Sequence, residues 1–322
     1  MDVSVRGSRT WLAMVATGVI ALATAACSGG TSSSTTSTSV TNDTVVYPVP
    51  SEAIPPQVPV ASIAATVPAA VRAKSSFVIA VGTGLPPNGF VAPGRATLVG
   101  MDVDIAVAAA QVMGLKPMVE KAPAGSVLSG LGAGTYAMAA SSLPDSRAGE
   151  QLVDYVDYFL SGQAYFVKKN SKLGFNGIAA VCGQSVGVVA GTLSAAEARA
   201  QAVRCRTEKT SPAHITSYGS LSALVGAVSS GKVGAGLTTS PVAGYIVSAR
   251  SGQLELSGSP FNLAPYGLAL PKGNGMAGPT AAAVDVLIGD GVYNHILAKW
   301  GTQAGAVTKA SVNRGGRVLN PA

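Results

Sequence analysis

The chain predicts an α/β fold, mostly parallel sheet with helices on both faces, and three features predict it. Short apolar runs of strand length alternate with stretches of helical period. Gly82, Gly84, Gly114 and Gly301 stand where such elements should stop. The composition, 48% hydrophobic and 11% charged over 322 residues, supplies enough apolar material for one large core or two.

In chain order, Phe77 to Val81 is an apolar run closed by Gly82 and Gly84, which reads as a buried strand. A helix follows Asp102, with Asp102 as its N-cap and Asp104 complementing the dipole in its first turn. Ile105, Ala109, Val112 and Met113 mark its apolar face, Gly114 ends it, and Pro117 to Glu120 is the next strand. The alternation continues through a helix at Val127 to Leu131, strands at Ala137 to Ala140, Gln163 to Val167 and Ser185 to Val189, helices at Ala195 to Val203 and Leu221 to Ser229, and a strand at Val233 to Leu237. A last helix runs from about Thr280 to Trp300, with Gly301 as a left-handed cap. Residues 306–322, containing Arg314 Gly315 Gly316 Arg317, read as a loose tail.

Upstream of this body, Arg6 and Arg9 precede an uncharged stretch, Trp11 to Ala26, of signal-peptide length. It is short for a membrane span, which needs roughly 20 apolar residues. The run Thr24, Ala25, Ala26, Cys27 is similar to a bacterial lipobox, although Thr24 stands where leucine is usual. The expectation is a signal peptide over 1–26, an acyl group on Cys27 and a mature chain outside the cell, attached to its membrane. Ser28 to Val40 is almost wholly Ser, Thr and Gly, and Tyr47 to Pro68 is rich in proline, so residues 27–75 read as a tether. In an oxidising compartment Cys182 and Cys205 would form a bridge, with two unpaired buried cysteines as the alternative. No CxxC or HxxxH spacing suggests a metal. The formal charge of +7 comes from Lys and Arg that are scattered, without a basic run or interleaved aromatics, so a solvated surface is expected and nucleic acid is not.

Gly183 Gln184 Ser185 Val186 Gly187 matches GxSxG, but Ser185 opens an apolar strand instead of following one. Of the two histidines, His214 follows Ser211 Pro212 in a loop and His295 lies in the last helix. Gly130 Leu131 Gly132 Ala133 Gly134 has no lysine after it and reads as a helix end with a turn. Neither enzyme chemistry nor a cofactor is expected.

Four stretches together carry a family resemblance: Leu98 Val99 Gly100 Met101 Asp102 Val103 Asp104 Ile105 Ala106; Ser141 Ser142 Leu143 Pro144 Asp145 Ser146 leading to Val153 Asp154 Tyr155; Val186 Gly187 Val188 Val189 Ala190 Gly191 Thr192; and Ser230 Gly231 Lys232 Val233 followed by Ser240 Pro241 Val242 Ala243. With the closing Ile296 Leu297 Ala298 Lys299 Trp300 Gly301, the chain resembles the extracellular solute-binding proteins of family 3, the polar amino acid receptors of bacterial ABC importers. The resemblance implies a periplasmic-binding-protein-like clamp of two lobes joined by two crossover strands, with lobe 1 at 76–163 and 265–305 and lobe 2 at 164–264. It implies a monomeric membrane-anchored lipoprotein that captures a small polar solute between the lobes and delivers it to an ABC permease. A tethered sensor or a protein-binding clamp of the same fold is the alternative. A few relatives on this fold are dehydratases that need a cleft carboxylate, and the aligned cleft positions carry none.

In the family an arginine holds the ligand carboxylate and acidic side chains hold its ammonium. Here the first acidic position corresponds to Gly84, the nearby stacking aromatic to Pro87, the second acid to Thr239 and the arginine to Gly149. Arg147 stands two residues early, about half a helical turn away, and would face away from the cleft unless the backbone shifts. Leaving a buried charge unpartnered costs about 3–5 kcal/mol, which weighs against a free amino acid held in the usual way. The remaining candidate ligand residues, Ser141, Ser142, Gly191, Thr192 and Thr239, are neutral and hydrogen-bonding. They imply a neutral or weakly polar solute, or an amino acid derivative with a blocked terminus.

Overall fold

The computed structural model describes residues 48–315 except 85, 95 and 124, so Cys27, the signal-peptide segment and the Ser/Thr-rich stretch lie outside the described residues. In chain order the elements are α1 (Ala61–Thr66), α2 (Ala69–Arg72), β1 (Phe77–Gly82), β2 (Phe90–Val91), β3 (Leu98–Val99), α3 (Met101–Val112), β4 (Pro117–Ala122), α4 (Val127–Gly132), β5 (Met138–Pro144), β6 (Val153–Lys168), β7 (Ser185–Val189), α5 (Leu193–Thr207), β8 (His214–Tyr218), α6 (Leu221–Ser229), β9 (Ala235–Thr239), α7 (Ser240–Ala249), β10 (Leu254–Pro271), α8 (Ala277–Gly289), α9 (Val292–Trp300) and β11 (Ser311–Val312). Among them no helix is long and apolar enough to cross a membrane.

The main sheet has the order β4-β1-β5-β10-β6-β9-β7-β8, with β11 added on β6. Its outer pairs, β1 with β4 and β5, and β7 with β8 and β9, are parallel. Its middle is antiparallel, because the long strands β6 and β10 run against each other and against β5 and β9. β5 pairs with β10 at Tyr266, Gly267 and Ala269, whereas β9 pairs with β6 at Gln163 to Val167. The two ends of the long strands thus serve two separate half-sheets. Each half is covered on both faces. One carries α3, α8 and α9 over Ile79, Met101 and Leu268 on one side, and Val127, Leu131 and Tyr155 on the other. The second half has Phe166, Leu224 and Ile246 on one side, and Val188, Ala195 and Cys205 on the other.

Several elements depart from the sequence expectation for visible reasons. The N-cap of α3 is Gly100, not Asp102. Its φ of 142° and the approach of the Asn88 carbonyl leave no room for a Cβ. The expected strand at Gln163 to Val167 is the far end of the sixteen-residue β6. The expected single C-terminal helix is two, broken at Gly291, which adopts φ 79°. His214 opens strand β8 instead of lying in a loop. In the proline-rich segment, Ile63 and Val67 are buried in the body and Val60 N–H donates to Val112 O at 2.9 Å. Tyr245 OH donates to Pro48 O at 2.6 Å. In the expected tail, Ser311 and Val312 pair with Asp157 and Val156 of β6.

Cys182 and Cys205 are joined by a disulfide that ties the 3-10 turn before β7 to α5, with Cα atoms 5.6 Å apart. The chain between them is 23 residues in sequence separation, so the bridge restricts the unfolded state by about 3 kcal/mol. Replacing both cysteines by alanine should lower the unfolding free energy by about that amount in a denaturant titration under oxidising conditions. An unchanged midpoint would show that the bridge contributes nothing.

Candidate functional site

Ligands of open α/β sheets bind beyond the C-terminal ends of parallel strands, where helix N-termini gather. In one half these ends are Gly82 of β1 and Pro144 of β5, next to the start of α3. In the other they are Val189 of β7, leading through Gly191 and Thr192 into α5, and Thr239 of β9, leading directly into α7. All predicted site residues therefore belong to strand ends and the loops after them, except that Arg147 and Gly149 sit on the turn between β5 and β6.

The predicted hydroxyls hold the scaffold together. Ser141 Oγ accepts from Gly82 N–H at 2.7 Å, locking β5 to β1. Ser142, whose φ is 49°, donates its hydroxyl to Asp102 Oδ2 at 2.7 Å. Thr192 caps α5, accepting from Ala195 N–H at 3.3 Å and donating to Val189 O at 2.8 Å. Thr239 and Ser161 lie within hydrogen-bonding reach of the Tyr266 phenol on β10. Gly191 is exposed, with φ 78° and open space where a Cβ would be. Gly84 is also exposed, with open space at its Cβ position, and its N–H donates to Gly89 O at 2.9 Å. Pro87 is buried, and its carbonyl accepts the first amide of α3, Met101 N–H, at 2.8 Å.

The arginine position is filled differently. Gly149 is buried, and a Cβ there would come within 2.5 Å of the Tyr155 hydroxyl. Arg147 is exposed on the same turn.

One group missed by the sequence reading organises the first half of the site. Asp102 is fully buried, and its Oδ1 accepts from Tyr158 OH at 2.6 Å while Oδ2 accepts from Ser142. Burial pushes its carboxyl above the ordinary range, and the two hydroxyl donors pull it back. Tyr158 is raised well above the ordinary phenol value, first by burial and then by the Asp102 charge. The flanking Met101 and Val103 are both buried, the signal that could have marked Asp102 as an inward residue. A second polar group lies on the crossover: buried Ser194 of α5 donates to buried Gln163 Oε1 at 2.6 Å. Gln163 is in register with Thr239.

Two other features are satisfied within themselves. A cavity of about 420 Å³ lies under residues 48–53 beside Val99 and Trp300, and there Lys299 Nζ and Trp300 Nε1 both bond Asp104 Oδ2, at 2.8 and 2.7 Å. Ser185 and His214 are neighbours in register on β7 and β8, but at the strand starts, opposite the crevice. That placement is not a nucleophile elbow.

Two half-sheets strung on one antiparallel pair, with helix N-termini gathered at the strand ends, define a two-lobed binding clamp. The chain belongs to the bacterial extracellular solute-binding proteins, family 3, whose model matches residues 77–303. The family and the relatives below are named as solute-binding proteins, a non-enzymatic role. The chain is 28% identical to the arginine-binding protein ArgT of Corynebacterium glutamicum over 275 residues, 85% of this chain and 90% of that one. It is 27% identical to the ABC transporter glutamine-binding protein GlnH of Bacillus subtilis, covering 72% and 83%. A solved ancestral arginine-binding protein bound to arginine superposes with a TM-score of 0.54 at 25% identity, covering 70% of this chain and 98% of that one.

Asp102→Ala should strand two hydroxyl donors and lower the unfolding free energy by roughly 2 kcal/mol or more, read by chemical denaturation. Gly149→Arg should force Tyr155 aside and lower stability by about 1–3 kcal/mol, visible as a lower Tm. A stable Gly149→Arg variant with an unmoved Tyr155 would show that the turn is not closed as described.

Proposed function

We propose that this chain is the membrane-anchored substrate-binding protein of an ABC importer and captures an amino acid or an amino acid derivative between its lobes. Lobe 1 is taken as 76–163 with 265–305, and lobe 2 as 164–264. An acyl group on Cys27 is the proposed anchor. The names of the relatives support the solute class, since one is an arginine-binding and the other an ABC transporter glutamine-binding protein.

The observation that carries the finer claim is the turn between β5 and β6. Tyr155 leaves no room for a side chain at position 149, and Gly84 offers no charge. In the proposed site a zwitterion therefore meets backbone amides at the starts of α5 and α7 and hydroxyls already engaged with the scaffold. Removing a charge from the ligand removes the cost of leaving that charge unpartnered, so a solute with a blocked terminus fits better than its parent.

Titration calorimetry of the purified chain with arginine, glutamine, their amides and their N-acetyl forms tests this. At least one blocked form should bind about tenfold or more tightly than its parent, a difference of about 1.4 kcal/mol. Micromolar binding of an unmodified amino acid that Arg147→Ala abolishes would instead make Arg147 the carboxylate anchor and remove the blocked-ligand claim.

A further inference from the structure

We propose that residues 311–315 form a proton-sensitive latch that positions the turn carrying Arg147. Its consequence for ligand affinity rests on the function proposed above, whereas the latch itself does not.

The segment is fastened at four of its five residues, 311, 312, 313 and 315. Ser311 and Val312 extend the sheet along β6, and Ser311 Oγ donates to Asp157 Oδ2 at 3.0 Å. Asn313 exchanges bonds with Tyr155: Tyr155 N–H donates to Asn313 Oδ1 at 2.8 Å and Asn313 N–H to Tyr155 O at 3.2 Å. Asn313 Nδ2 donates to Asp154 Oδ1 at 3.1 Å. Gly315 N–H then donates to Glu150 Oε1 at 2.6 Å. Gly315 is buried so closely against the turn that a Cβ would lie 2.8 Å from Arg147 N and from Asp145 Oδ1. The latch thus touches both the start of the Arg147 residue and the carboxylates beneath it.

Those carboxylates are the sensitive part. Asp145 and Asp157 are each only 3% exposed, and among the described residues Oδ1 and Oδ2 of Asp145 and Oδ1 of Asp157 have no donor. The Arg314 amide leans towards Asp145 without completing a bond. The two side chains lie against each other, so a proton shared between them supplies the missing donor. Burial and then the Asp145 charge push Asp157 up to about 7, with Glu150 adding to the rise. Burial, followed by Glu150, raises Asp145 as well. Of the other charged groups around the latch, Arg147 and Arg314 are exposed, and two carboxylates are engaged. Asp154, despite burial, is held low by Lys272, the Gly273 amide and Asn313, and Asp285 of α8 accepts the Ala310 amide at 2.7 Å.

The folded latch keeps a proton that the unfolded chain, with the ordinary value of 3.8, releases. Its stabilisation is full below that ordinary value and is lost as pH rises through about 7. Between these two values the opening constant should grow by up to about tenfold per pH unit for one linked proton, levelling off above about 7, where two carboxylates repel each other under the latch.

Hydrogen exchange of the full-length chain, corrected for intrinsic rates, reads this without ligand. Between pH 5 and 8.5 the wild type should lose protection about tenfold or more in 145–152 and 306–315, while 221–229 stays unchanged. In Asp157→Asn that pH dependence should weaken, because the group raised to about 7 is gone; should this variant fold poorly, Asp145→Asn removes the charge that adds to burial in raising Asp157 and should weaken it as well. Identical pH profiles in wild type and both variants, or no change in the wild type, would overturn the latch. Calorimetry with arginine amide at the same two pH values adds the coupling: binding should weaken with pH in the wild type only. Absence of binding at either pH counts against the proposed ligand class, and exchange still decides the latch.

Discussion

The antiparallel pairing of β6 with β10 is the constraint on which the rest of the molecule depends. Both strands pass through the two half-sheets, so every other strand of the main sheet is positioned, directly or through a neighbour, by this pair. The register slips between Ser257 and Phe261, between Phe261 and Ala264, and between Tyr266 and Gly267, all near the crossing between halves. Gly162 faces the Phe261 carbonyl so closely that no side chain would fit. Bulges and a glycine at the crossing are where a two-strand ribbon bends most easily, which suits the proposed opening and closing of a clamp.

From that pair the chemistry of the crevice follows. β6 brings Tyr158 to Asp102 and Gln163 to Ser194, while β10 brings Tyr266 to Thr239. Each side of the crevice is therefore tied to the crossover strands by a buried hydrogen bond that, if broken, leaves a group desolvated and unpaired. The hydroxyls and the buried carboxylate spend their capacity on this framework. In the proposed site, backbone is what remains for a ligand: helix N-termini, Gly84 and Gly191. Carboxyls are kept one layer back, in Asp102 and in the Asp145–Asp157 pair, where burial disfavours their charged form.

Most of the parallel framework was legible in the sequence, because β1, β7 and α6 are short apolar segments with clear stops. β10 was not. Its run Leu254–Pro271 contains Gly258, Pro260 and Asn262, the last with φ 52°, and such residues read as a loop until a partner strand is seen to hold them. Of β6 only Gln163 to Val167 was read as strand, since Ser161 and Gly162 interrupt the run before it. In the site, residue types at strand ends located the crevice. They did not tell which way a hydroxyl would turn, since Ser141 and Thr192 are equally able to bond a ligand or the neighbouring backbone. Asp102 looked like a surface cap because aspartate at a helix start normally is one; only the fold shows Tyr158 above it.

The most direct test of a two-lobed clamp is the distance between its lobes with and without ligand. Spin labels at Met118→Cys on β4 and Val203→Cys on α5, both exposed positions in opposite half-sheets, would report it by pulsed electron resonance. Saturation with the tightest binder found by calorimetry should replace a broad distribution by a shorter, narrower one. A distribution that stays the same at saturation would show that the solute is held without closure, and the clamp account would fail.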